Sequence, residues 1–202
     1  MGTLQDIAGR FAHNAPDLVP LVASVIGQEG EQRGYYRRIL KKYSPSSLPF
    51  GTFSTREFAY TLLKTFQVGL SDGAKKILLQ TFSPLKVEFP PRPTVKGFNA
   101  TVTFSFKPAG GRNRHKDTDY YVTYIHSLDL PYTVQARPYA AKHEGDQDTV
   151  WISADVPAAA YLLNGLTIAA VGTKPGPFKS YKEVTENVEY APGIIYIDPI
   201  HV

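Results

Sequence analysis

At Phe89-Pro90-Pro91-Arg92-Pro93 the hydrophobic rhythm of the chain changes: before it apolar residues recur every three or four positions, and after it they alternate. A period near 3.6 lines one stripe of a helix and a period of two lines one face of a strand, so helices come first and a sheet follows. The prolines make the junction a stiff spacer, because each fixes its own φ and lacks an N–H to donate. The expected organisation is a helical segment over residues 1–88, a connector at 89–93 and a β-sandwich over 94–202, an α+β protein.

Within the first part a short helix is expected over Leu4 to Ala12, broken at His13-Asn14-Ala15-Pro16. A long helix then runs from Asp17 to Tyr43, capped by Asn14 or Asp17, with Pro20 in its first turn where a missing N–H does no harm. Gly27, Gly30 and Gly34 each weaken it by about 0.5–1 kcal/mol relative to alanine, so a close neighbour along that line is expected. Ser54-Thr55-Arg56-Glu57 reads as a capping box opening a helix that carries Phe58, Leu62 and Phe66, and a last helical piece is expected near Gly73 to Gln80.

In the second part Val102, Phe104 and Phe106 alternate with Thr101, Thr103 and Ser105, the mark of a strand with one wet face. Further strands are expected at Tyr120 to Ile125, Tyr132 to Ala136, Thr149 to Ala154, Leu166 to Val171 and Gly193 to Ile197. Short strands parted by Gly, Pro and Asp turns imply an antiparallel sandwich of immunoglobulin or fibronectin-like type, with Trp151 as a core anchor.

Composition removes several functions. Cysteine is absent, which excludes disulfides, thiolate nucleophiles and thiolate metal sites. The 22 basic and 18 acidic residues are mixed along the chain, and the one dense run, Arg33, Arg37, Arg38, Lys41 and Lys42, suits a solvated helix end beside the negative pole of its dipole. A nucleic-acid partner is not expected. No secretory leader and no membrane-spanning stretch is visible, so the chain reads as soluble with no membrane partner. No Gly-x-Ser-x-Gly elbow marks a serine hydrolase.

The chemistry the sequence suggests centres on Glu29. Leu18, Val22, Val25, Glu29, Gln32, Tyr36, Ile39 and Tyr43 fall at steps of three and four, which places this carboxylate on an apolar stripe expected to face the core. A carboxylate held in low dielectric needs a metal, a cation, a hydrogen-bond donor or a proton. One reading is a hydrogen-bonded group that fixes helix register. The other is catalytic, with Glu29 as general acid/base and Gln32 and Tyr36 orienting a substrate, or metal-binding, with His13 joining Glu29 if the first segment folds back antiparallel. His126, Asp129, His143, Glu144, Asp146 and Asp148 form a compositional candidate for a hard cation, and Arg112, Arg114, His115 and Lys116 one for an anion.

The blocks Ile26-Gly27-Gln28-Glu29-Gly30-Glu31-Gln32-Arg33-Gly34-Tyr35-Tyr36-Arg37, Leu48-Pro49-Phe50-Gly51-Thr52, Arg56-Glu57-Phe58-Ala59-Tyr60 and Thr81-Phe82-Ser83-Pro84-Leu85-Lys86-Val87 occur in order. Tyr121-Val122-Thr123-Tyr124-Ile125 and Leu163-Asn164-Gly165-Leu166-Thr167-Ile168-Ala169-Ala170-Val171 follow them. Together they resemble the fungal ferritin-like proteins grouped as late sexual development and stress-response proteins. The resemblance implies a ferritin-like half-bundle followed by an immunoglobulin-like sandwich, and a secreted or cell-wall address. It also implies that two helices of the four-helix bundle precede the matching region. A half-bundle leaves apolar faces that a second copy would cover, so a homodimer through the helical segment is expected. Di-iron sites of such bundles use Glu-x-x-His, whereas Glu29 is followed by Gln32, a weak ligand for iron. The reading is therefore a non-catalytic, self-associating protein with a role in development, stress or at the cell surface and no cofactor. The alternative is an enzyme or small-molecule binder with a pocket between paired helices, using iron or manganese.

Overall fold

The computed structural model describes residues 2–40, 51–69, 73, 78–89, 100–108, 118–127, 130–144, 147–156 and 165–197. Helix α1 (Gly2–Asn14), a 3-10 turn (Pro16–Leu18), α2 (Val19–Ile39) and α3 (Arg56–Lys64) precede strand β1 (Lys86–Phe89). Then come β2 (Ala100–Phe106), β3 (Tyr121–His126), β4 (Tyr132–Gln135), β5 (Arg137–Glu144), β6 (Gln147–Val156), β7 (Gly165–Gly172), α4 (Tyr181–Asn187) and β8 (Tyr190–Ile197).

The strands form two four-stranded antiparallel sheets, ordered β1-β2-β6-β5 and β4-β3-β7-β8. Alternation turns Val102, Phe104 and Phe106 of β2 and Val150, Ile152, Ala154 and Val156 of β6 toward Val122 and Tyr124 of β3, Ala169 and Val171 of β7 and Ile195 of β8, making one core between the sheets. The same parity puts Trp151 on the opposite side of β6, half-buried, so it is not the expected core anchor. Thr103 and Ser105 on the expected wet face of β2 are buried too. Strand β5 was not expected; it is a polar edge strand carrying Pro138, and an edge is where a ladder tolerates proline.

A second apolar layer lies behind the β4-β3-β7-β8 sheet. Ile125, Ile168, Ala170 and Ala191 on that sheet meet Phe58 of α3, Val184 of α4, and Phe82, Phe178 and Val188. Helical and strand segments thus share a core, and β1 opens at Lys86, ahead of the proline-rich connector, most of which lies outside the described residues.

Capping explains where the helices start. Helix α3 is capped by Thr55, one residue later than expected: its Oγ1 accepts from Phe58 N–H at 3.3 Å and from the Thr185 hydroxyl at 3.2 Å, tying α3 to α4. The helix ends at Lys64, so Phe66 is not on it and is exposed. Neither Asn14 nor Asp17 caps α2, whose N-cap is Leu18 without a side-chain hydrogen bond; Pro20 does occupy the first turn. Of the helix expected at Gly73 to Gln80, Gly73 is helical, residues 74–77 lie outside the described set and 78–80 are not helical.

Helices α1 and α2 turn back on each other through Ala15 to Leu18. With 13 and 21 residues they are about 20 and about 31 Å long, so the last turns of α2 run past the start of α1. Among the described residues nothing lies within 4 Å of a side chain built at Gly27 or Gly34, whereas Gly30 is half-buried.

Candidate functional site

The described residues hold two buried carboxylates, Asp6 and Asp148, and neither is Glu29; Asp6 is the one that joins distant helices. Its side chain is fully buried, and three partners surround it. Arg10 Nε donates to Oδ2 at 3.0 Å from one turn further along α1, Tyr181 Oη donates to Oδ1 at 3.2 Å, and Lys182 Nζ stands 3.4 Å from Oδ1. Tyr181 stacks on Phe53, ring centroids 5.0 Å apart and planes 16° from parallel. At the start of α1, a side chain in place of Gly2 would run into the Thr52 carbonyl oxygen, so the helix lies directly on the 52–53 backbone.

The arrangement is electrostatically consistent. Burial first, and then the negative charge of Asp6, push the Tyr181 phenol up to about 12, so it stays a donor at any ordinary pH. The Asp6 hydrogen bond holds the Arg10 guanidinium above its usual value. A cation pair and a phenol around one carboxylate satisfy its lone pairs and anchor α1 to α4.

The residues expected to form a site lie elsewhere and apart. On α2 the strip covered within the chain is Val22, buried, with Ile26, Gly30 and Arg33 half-buried. Glu29 is exposed, and so are Gln32 and Tyr36, which corrects the expectation that this carboxylate faces the core. The physical reason is rotation: the covered strip is centred about 60° around the helix from Glu29, so of the stripe read as core Val22 is buried and Val25 half-buried, while Glu29, Gln32 and Tyr36 are left open. His13 is exposed in the last turn of α1 beside the hairpin turn, whereas Glu29 is about 15 Å along α2 from that turn, so folding back does not unite them. As placed, these donors do not fit an iron or manganese centre, and among the described residues no group of three or more His, Asp or Glu could hold a metal ion.

The compositional cation cluster also disperses. His126 ends β3 in one sheet, buried, with Nδ1 3.0 Å from Thr167 Oγ1, while His143, Glu144 and Asp148 belong to β5 and β6 of the other. Asp129, Asp146 and the Arg112 to Lys116 run lie outside the described residues. A groove of about 590 Å³ opens beside β4, with Leu130, Tyr132, Pro175, Pro177 and Phe178 in its wall; no described carboxylate or imidazole lines it. No helix among the described residues is long and apolar enough to cross a membrane.

Comparison of the chain with protein families, curated proteins and solved structures finds no match.

Two signals in the sequence point to the clasp. Asp6 and Arg10 are an i, i+4 pair of opposite charge. Ser180-x-x-Glu183 is a capping motif: Ser180 Oγ accepts from Glu183 N–H at 3.2 Å, and Glu183 Oε2 accepts from Lys179 N–H at 2.7 Å, which sets the helix carrying Tyr181. The long-range pairing of the two has no local signature.

Proposed function

We propose that this chain is a non-catalytic assembly protein: a helical arm, clasped to a two-sheet body, that associates with a second copy through the open face of α2. The observation that carries the reading is the set of large apolar side chains left in solvent along that helix and at its caps, Leu18, Leu21, Tyr35, Tyr36, Ile39 and Leu40, with Leu21, Tyr35, Tyr36 and Leu40 each more than 60% exposed. Clusters of exposed apolar side chains at both ends of one helix mark a contact surface. Two hairpins brought together along it make four helices, the arrangement of a ferritin-like bundle assembled from halves.

The body supports an immunoglobulin-type reading. Its order β1-β2-β6-β5 facing β4-β3-β7-β8 corresponds to A-B-E-D facing C′-C-F-G, and Ser83 adds a parallel bridge to Tyr190 of β8 before the chain crosses to the other sheet. Such bodies present loops and edges from a rigid frame and carry out recognition more often than chemistry. The resemblance adds a role in development, stress response or at the cell surface.

Light scattering on the purified chain at micromolar concentration tests the reading. A dimer that Ile39→Asp converts to monomer is expected; a monomeric parent protein overturns it.

A further inference from the structure

On the basis of that self-association, we infer that two copies pair antiparallel along α2, with the two-fold axis passing beside Glu29. The exposed stripe is apolar at both ends and polar around this residue. Leu18, Leu21 and half-buried Val25 lie on one side, Tyr35, Tyr36, Ile39 and Leu40 on the other, and Gln28, Glu29 and Gln32 between them. The midpoint of Leu18 and Leu40 is Glu29 itself, and that of Leu21 and Tyr36 falls between Gln28 and Glu29. Eighteen residues make five turns, so Leu18 shares its azimuth with Tyr36 and Leu21 shares its own with Ile39. A two-fold contact must be self-complementary, each patch meeting its own copy in reverse order. Apolar–polar–apolar about one centre meets that requirement when the helices run in opposite directions: each apolar end, about 16 Å from Glu29, covers the other end of the second copy.

Charge favours the same direction. Asp17 precedes α2, and Arg33 and Arg38 lie in its second half. Antiparallel pairing puts Asp17 near the basic end of the second copy and opposes the helix dipoles, whereas parallel pairing sets like ends together. At the axis each Glu29 is one turn from Arg33 of the partner subunit on the same flank. The carboxylate whose burial the sequence led one to expect is then covered in the assembly and matched by guanidinium rather than metal.

The natural absence of cysteine makes a direct test available. Single substitutions Glu29→Cys, Leu18→Cys and Leu40→Cys are oxidised mildly and run on non-reducing gels, with light scattering on each parent form. Expected are a crosslinked dimer for Glu29→Cys, none for Leu18→Cys or Leu40→Cys alone, whose equivalent sites stand about 33 Å apart, and a crosslinked heterodimer when these last two are mixed. Leu18→Cys crosslinking to itself would mean parallel helices and overturns the inference. So does a dimer by light scattering that no variant crosslinks, which leaves self-association standing on another surface. A monomer throughout removes the self-association reading itself.

Discussion

The Tyr181 hydroxyl donates to the Asp6 carboxylate at 3.2 Å, joining the first helix of the chain to its last across 175 positions of sequence. Because Asp6 is fully buried, this bond and its two neighbouring cations help hold the helical hairpin docked, together with the contact of Gly2 on the 52–53 backbone.

Asp6→Ala removes the acceptor for Arg10 and Tyr181 together. The expected loss is about 1–3 kcal/mol, kept below that of a wholly buried ion pair because Arg10 and Lys182 reach solvent. Urea unfolding measures it, and hydrogen exchange should accelerate in α1 while the β2 and β6 amides stay protected. An α1 exchange rate unchanged by the substitution would show that the hairpin is held by something else.

Thr55→Ala deletes the N-cap of α3 and its bond from Thr185, at an expected cost of about 1–2 kcal/mol. Ser54→Ala, at the position a capping box would use, should cost less than about 0.5 kcal/mol, since its hydroxyl only donates to the Thr55 carbonyl at 3.2 Å. Equal effects from the two would contradict the cap register.

Phe58 is 1% exposed and packs edge-to-face on Phe82 with centroids 5.1 Å apart, bridging α3 to the sheet. Truncation in Phe58→Ala should cost about 3–5 kcal/mol. Trp151→Ala, on the half-buried outer face of β6, should cost less despite the larger ring; a thermal melt that ranks them the other way round would place Trp151 in the core.

Tyr181 links stability to alkaline pH. Its folded value is pushed up to about 12 from an ordinary value near 10, so the folded state keeps a proton that the unfolded chain releases first. Its contribution is therefore whole below about pH 10 and is lost as pH rises toward about 12. Tyr181→Phe should flatten part of the fall in stability over that interval. A phenolate absorbance titration in which Tyr181→Phe removes a group ionising near 10 instead would refute the shift.

The alternating and three-to-four rhythms made six strands and the first three helices legible, because burying one face imposes the same period on any partner. Strands β1 and β5 were not legible: β1 is four residues running straight into the proline-rich segment read as a connector, and a polar edge strand with Pro138 lacks the apolar alternation of its neighbours. Helix α4 escaped for its length, seven residues, although Ser180 and Glu183 announced its start.

The site divides the same way. The sequence alone determined that α2 is a helix carrying Glu29 among apolar residues, since that depends only on spacing along one element. Which side of that helix the rest of the chain covers was decided by tertiary structure: with α1 packed against α2, Val22 is buried and Ile26 half-buried, while Leu21, Tyr36 and Ile39 stay in water. Likewise Asp6 is matched in its buried position by α4, folded from the far end of the chain, which brings Tyr181 and Lys182 to it. Periodicity reports that a face exists; what meets it is settled by contacts between residues far apart in sequence, and these leave no local trace.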